Sequence, residues 1–408
     1  MPVVVVLVVL VVGAVLLYPA WSARQGKHAR WMIEHAANTL VDYDADRLLV
    51  VGGTDHAVLD RATGATRTSW FGTAESRGAL VSGGIVGSDV GKLWMEPDGK
   101  APGWEKAGVA EQYTLVAVRD DVVVAAVKRD GGYTLTGFAL ADGTQVWTMP
   151  NLERVGFVEM GTEPARPPGA LRTTRLIPVV RANAPGWTLV DAGSGAVVAT
   201  TPEGAVPVAM GPTAVSASTT CADLAFAGMG GAVAWPDPPG GDCSAVWAFD
   251  DHRVLLIASR DGTELIGGDQ AVRLFSVALD TGKATELDWR GRYVDVIDAG
   301  ERELAHSWGR YLFSRGTVYD TNTGTARWHA DNVWINGDTA VVAGPVTGMD
   351  RMASGANDDD RWLRVADAAT GEPTGDELIT DGSIYGVYVL DHGQALVFAG
   401  ADVALLSR

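Results

Sequence analysis

The stretch Val318-Tyr319-Asp320-Thr321-Asn322-Thr323-Gly324-Thr325-Ala326-Arg327-Trp328 decides how the rest of the chain is read. Its apolar lead-in has the alternation of a strand that buries one face. Asp320 is placed to accept hydrogen bonds from the backbone N–H groups just after it, and Gly324 supplies the positive φ that closes a turn. A second strand follows, and Trp328 on it is large enough to fill the gap between neighbouring sheets. The phrase is therefore a hairpin.

The hairpin recurs. Outward from it stand Val365-Ala366-Asp367-Ala368-Ala369-Thr370-Gly371 on one side and Val277-Ala278-Leu279-Asp280-Thr281-Gly282-Lys283 on the other. Further copies are Leu189-Val190-Asp191-Ala192-Gly193-Ser194-Gly195, the shortened Phe138 to Trp147, and Val58-Leu59-Asp60-Arg61-Ala62-Thr63-Gly64. A weaker copy runs from Trp94 to Gly99, with Trp104 after it. The turn glycines at 64, 99, 143, 195, 282, 324 and 371 are separated by 35, 44, 52, 87, 42 and 47 positions. A period of about 45 residues holding four short strands is that of a β-propeller blade. The segments Arg47–Gly52, Asp121–Lys128, Val254–Ser259 and Thr339–Ala343 read as inner strands between the phrases.

The chain ends on three strands, Ile384–Leu390, Gln394–Ala399 and Asp402–Ser407, and lacks an outer one. Arg30–Ala36, with Trp31, has no partner near it in sequence, so pairing the two would close the ring. The fold expected is all-β: an eight-bladed β-propeller over residues 24–408, with 207–245 as an insertion within one blade. Seven blades is the alternative, if Ser82–Lys106 is only part of a blade.

Ahead of the ring, residues 1–23 carry no charged side chain, and Val3 to Leu17 is almost unbroken Val, Leu, Ala and Gly. That length suits one N-terminal transmembrane helix, ending near Pro19. A cleaved signal peptide fits less well, because cleavage after Ala20 or Ala23 would put Tyr18 or Trp21 at the position that wants a small residue. Arg24, Lys27 and Arg30 after the span favour a cytoplasmic flank. The two cysteines, Cys221 and Cys243, lie in a Gly- and Pro-rich stretch and read as a structural disulfide of an oxidising compartment. The expected localisation is a single-pass protein of the cell membrane with the propeller outside the cytoplasm.

Composition removes other classes. With 32 basic against 50 acidic side chains the formal charge is −18, so no nucleic-acid partner is expected. The seven histidines, His28, His35, His56, His252, His306, His329 and His392, form no metal-ligand pair in sequence. Asp42-Tyr43-Asp44-Ala45-Asp46 alternates carboxylates as a calcium loop does, but Arg47 stands where its glycine belongs and Gly53 where its glutamate does. There is no P-loop, and Ser194 belongs to a hairpin turn rather than a nucleophile elbow. Asp358-Asp359-Asp360 reads as a solvated loop. No catalytic residue, cofactor or metal site is expected.

The repeat Asp-x-x-Thr-Gly-x-x-x-Trp, best seen from Val318 to Trp328, resembles that of the pyrroloquinoline-quinone-like (PQQ-like) β-propellers, over most of the chain from about residue 40 on. That family holds quinoprotein alcohol dehydrogenases, outer-membrane assembly lipoproteins and many membrane-tethered bacterial propellers. The dehydrogenases place a vicinal disulfide against the quinone; Cys221 and Cys243 are not adjacent. The resemblance thus implies the non-catalytic membrane-anchored branch, a protein-interaction scaffold serving envelope protein assembly and held by another envelope protein. The alternatives are a small quinone-dependent or carbohydrate-active propeller enzyme, or a ligand-sensing domain. The segments that break the period, Thr162–Gly169 and Trp235–Asp242, are where a partner would bind, and Trp235, Pro236, Asp237, Pro238 and Pro239 form the candidate partner-binding loop.

Overall fold

A computed structural model of the chain describes residues 22–408 apart from 24–27, 74–75, 90, 99–102, 109–110, 130, 157–167, 183, 185, 201–205, 211–212, 218–219, 222–224, 229–230, 235–236, 251–252, 261–269, 279–280, 293–306, 348–350, 352–353, 355–359 and 381–383. Apart from Ser307–Trp308, which pairs parallel with Asn332–Asn336, the described strands are antiparallel and follow one another up and down in short sheets, starting with Thr39–Tyr43, Arg47–Gly52, Asp55–Asp60 and Thr66–Phe71. The second unit covers 77–107, the third begins at 112, the sixth covers 243–286, the seventh 311–329 and the eighth 332–379. The third and fourth units share one long strand, Gln145–Val155: its first half closes the third, and Leu152 to Val155 pair with Val179 to Arg181 to open the fourth. The segments expected as inner strands are all present, each as the second strand of its unit.

Innermost strands of neighbouring units pack on each other, Thr39–Tyr43 on Arg77–Val81, Arg77–Val81 on Gln112–Arg119 and Asn332–Asn336 on Ile384–Val389, and Ile384–Val389 of the last unit returns to Thr39–Tyr43 of the first. The circle is closed by the chain's two ends. Trp31–Glu34 pairs antiparallel with Asp402–Ser407, Trp31 opposite Leu405 and Glu34 opposite Asp402, which supplies the missing outer strand. The protein is a β-propeller.

Among the described residues the glycine N–H of six copies of the phrase donates to the carbonyl four residues back, at Gly64, Gly143, Gly195, Gly282, Gly324 and Gly371. At Asp60 the carboxylate accepts from the N–H groups of Ala62 and Thr63 and from the Thr63 hydroxyl, while Gly64 N–H donates to the Asp60 carbonyl. Asp367 repeats this with Ala369, Thr370 and Gly371, and Asp191 with Ser194 and Gly195. Gly64, Gly195, Gly324 and Gly371 hold φ between 71° and 75°, a region that an L side chain rarely adopts.

Three expectations are corrected. Residues 206–234, expected as an insertion inside one blade, form a four-stranded antiparallel sheet of their own, packed against the fourth and sixth units. Among the described residues the eight sheets then make nine antiparallel units, since one sheet divides within Gln145–Val155; eight, or seven, had been expected. The phrase could not reveal the extra unit because this sheet turns between Gly228 and Gly231 without the Asp-x-x-Thr-Gly signal. Asp360, expected in a solvated loop, is fully buried just before the strand Arg361–Asp367.

No helix of the described residues is long and apolar enough to cross a membrane. The anchor expected over 1–23 lies outside the described residues except for Ser22 and Ala23, both buried; Ala23 packs on Val346, Trp362 and Ile379 of the eighth unit.

Candidate functional site

A four-strand up-and-down sheet finishes at the end where it began, so the innermost strands of the four-strand units described run the same way along the ring's axis. The two segments that break the repeat therefore lie at opposite ends. The one at 156–175 follows the first strand of the fourth unit; the one at 235–242 precedes the first strand of the sixth.

At the first end a single helical turn, Ala170–Thr173, lies over innermost strands of the ring. Gly169, with φ of 81°, turns the chain into it and donates its N–H to the Val41 carbonyl at 3.0 Å. Leu171 reaches the core between the second and third units, beside Val81 and Leu115. Arg172 pairs with Asp42 of the first unit at 2.6 Å and also donates to the Tyr43 carbonyl. Asp42 is 1% exposed and accepts in addition from the N–H groups of Tyr43 and of Leu80 in the second unit. Burial pushes the Asp42 carboxyl above its usual range, and Arg172 and the two N–H groups pull the other way. The segment thus straps three units together across one end of the ring.

Charged groups beside the strap are spent on each other. Arg47 is buried and reaches Asp44, Asp98 and the carbonyls of Val81 and Gly84. Arg61, also buried, joins the Asp44 carbonyl to Asp391 and Gln394 of the closing unit. The acidic run at Asp42 to Asp46 is consequently no calcium loop. Asp42 points to Arg172 and Asp44 to Arg47, so the carboxylates diverge onto arginines instead of converging on a point. Among the described residues no group of three His, Cys, Asp or Glu is placed to hold a metal ion.

At the other end the cysteines are joined. Cys221 and Cys243 form a disulfide with Cα atoms 4.7 Å apart, buried among Val254, Leu256, Ala258, Phe275 and Val277. The ridge between them is described only in part. Asp237 is exposed and Pro238 and Pro239 are half-buried, while Trp235 and Pro236 lie outside the described residues. Among the described residues the histidines stay apart: His56 stacks on Trp70, His329 meets Thr317, and His35 accepts from the Ala37 N–H.

The tryptophans of the phrase have a defined partner. Trp104 donates its indole N–H to the Leu140 carbonyl of the next unit, Trp147 to Gly193 and Trp328 to Ala368, and Trp31 crosses the ring closure to Arg61. In each case the indole lies on the turn glycine: a Cβ on Gly143, Gly195, Gly371 or Gly64 would come within 2.6 to 2.8 Å of the ring. The Trp of one blade therefore requires the Gly of the following one. The Arg172–Asp42 pair was not legible in the sequence, since its members stand 130 positions apart; the one local signal was Gly169 ahead of Ala-Leu-Arg.

Searches of family models and of curated proteins find no match. Among solved structures the chain is similar to BamB from Moraxella catarrhalis, with 15% identity over 93% of this chain and 96% of that one and a TM-score of 0.45. It is similar also to the dihydro-heme d1 dehydrogenase NirN (14% identity, 89% of this chain and 82% of that, TM-score 0.41). A third is the quinohemoprotein alcohol dehydrogenase from Comamonas testosteroni (11% identity, 93% and 76%, TM-score 0.40).

Proposed function

We propose that this protein is a membrane-tethered propeller that holds another envelope protein, with residues 1–23 as its anchor and the ring outside the cytoplasm. The observation that carries this reading is the strap. One end of the ring is covered by the chain's own turn Ala170–Thr173, and the charged groups around it, Asp42, Asp44, Arg47, Arg61 and Asp391, are engaged in pairs within the ring. Groups committed in this way rigidify the ring and join its units; they are not poised for turnover. The resemblance of the repeat to membrane-tethered propellers supports the same reading, as does a disulfide, which belongs to an oxidising compartment. Ala23 packs on Val346, Trp362 and Ile379, at the end of the ring where the innermost strand of the eighth unit starts, so a tether ahead of it would leave from the end that carries the ridge 235–242. A partner bound on that ridge would then sit close to the membrane.

The test is a photo-crosslinking residue placed at exposed Asp237, with a second placed at exposed Ser194 at the strapped end, in the full-length protein in native membranes. The expected result is a discrete adduct with one envelope protein from position 237 and none from 194. No adduct from 237, or the same adducts from both, would refute the assignment of that face. A cysteine introduced by Asn322→Cys should react with a membrane-impermeant reagent in intact cells; reaction only after lysis would place the ring inside.

A further inference from the structure

The fifth unit, 206–234, has neither half of the tryptophan lock. The strand that ends the fourth unit is Val197–Thr200, and no tryptophan occurs between Trp187 and Trp235, so the fourth unit has none to offer. The fifth unit has no Asp-x-x-Thr-Gly turn to receive one, because its outer hairpin runs through Gly228-Met229-Gly230-Gly231. The disulfide stands at the fifth unit's other junction, with the sixth, where the strand Gly231–Ala234 brings no tryptophan to the turn at Gly282 either. Cys221 lies between the strands Thr213–Ala217 and Ala225–Gly228 of the fifth unit, and Cys243 is the first residue of the innermost strand of the sixth. Cys221 is fully buried in the core of the sixth unit, its N–H donates to the Gly241 carbonyl at 2.9 Å, and Thr220 bridges to Asp242 beside it.

We propose that Cys221–Cys243 is a redox latch. It holds the fifth unit in the ring where the tryptophan lock is missing, and its reduction releases that unit while the rest of the ring stays closed. The loop that the bond encloses contains the strands Ala225–Gly228 and Gly231–Ala234 and the ridge 235–242. Breaking it gives back the loop-closure freedom of all three at once. The step balances with a dithiol reductant, which supplies two electrons and two protons. The S–S bond becomes two thiols, on Cys221 and Cys243, and the dithiol becomes a disulfide. The latch does not depend on which face binds a partner. It makes the ridge a feature of the oxidised protein alone.

The test is hydrogen–deuterium exchange read by mass spectrometry on the full-length wild-type protein, oxidised and after dithiol reduction and alkylation, with the free thiols counted by mass. Exchange in 206–234 should accelerate about tenfold or more on reduction, and in 112–149 by less than about twofold. Equal acceleration in both regions would mean that the bond supports the whole ring, and no acceleration in 206–234 would mean that it latches nothing; either overturns the proposal. Using the reduced wild type avoids relying on a Cys221→Ser, Cys243→Ser variant that could fail to fold. As a control on locality, Trp328→Ala with the bond intact should speed exchange in 311–379 and leave 206–234 as it was. Acceleration of 206–234 in that variant would also overturn the assignment of its retention to the disulfide.

Discussion

The junction of the third and fourth units and that of the fifth and sixth solve one problem in two ways. At the first, Trp147 lays its indole on Gly195 and gives its N–H to the Gly193 carbonyl at 3.1 Å. At the second, a covalent bond carries Cys221 into the neighbouring core. The tryptophan lock is encoded twice, by a side chain on one unit and an absent side chain on the next, and it forms from packing and one hydrogen bond in any compartment. The disulfide needs neither a long strand nor a glycine turn, but it needs an oxidant. A repeat protein held by neighbour contacts is only as secure as its weakest junction, and at the fifth unit the fastening is the disulfide.

The comparison is broken most strongly at the docked junctions. Trp328→Ala should cost about 3 kcal/mol, since it removes a large packed aromatic together with the hydrogen bond to Ala368; denaturant unfolding of full-length protein would show it, and a loss under about 1 kcal/mol would mean the indole is ornamental. Breaking the disulfide should cost a similar amount, about 3 kcal/mol for a loop of its size, but confined to the fifth unit. A calorimetric scan of the reduced protein should therefore split off a small early transition instead of shifting the whole. Gly371→Ala should cost about 2 kcal/mol, from a Cβ at φ of 73° pressed 2.7 Å from the Trp328 ring. The same substitution in Trp328→Ala should cost less, because only the backbone strain remains.

The smallest effect sharpens the role of the turn itself. Burial alone would raise the Asp320 carboxyl, but Arg310 and Arg327 outweigh it and hold the pKa at about 2, below the ordinary 3.8. A carboxyl depressed in the folded state contributes stability above 3.8 that is lost as pH falls through about 2. Asp320→Asn should therefore be less stable than wild type at neutral pH by about 1 kcal/mol, and the gap should close as the pH is lowered across that window. A gap that did not vary with pH would remove the charge from the explanation.

Much of the ring was legible because each phrase is a local device. Asp, Gly and Trp act within a dozen residues or on the next repeat, so Asp60, Asp191 and Asp367 could be read as turns from their neighbours alone. The closing strand was legible for a related reason: three strands at the end and one at the start leave a single vacancy. The fifth unit was not legible, since Ala- and Gly-rich strands such as Ala225–Gly228 carry little periodic signal and their turn lacks the phrase. The partners of the acidic run at Asp42 were not legible either, because the arginines that meet these carboxylates are delivered only by the fold.

The repeating hairpin, the glycines it requires and the circular closure are written in the order of residues, since they follow from φ preference, strand alternation and counting. Which residues meet across the ring is settled by folding alone: Arg172 on Asp42, Trp147 on Gly195, Cys221 in the core of the sixth unit. Such contacts join positions tens to more than a hundred residues apart, and their energies depend on burial and direction, which exist only once the ring has closed.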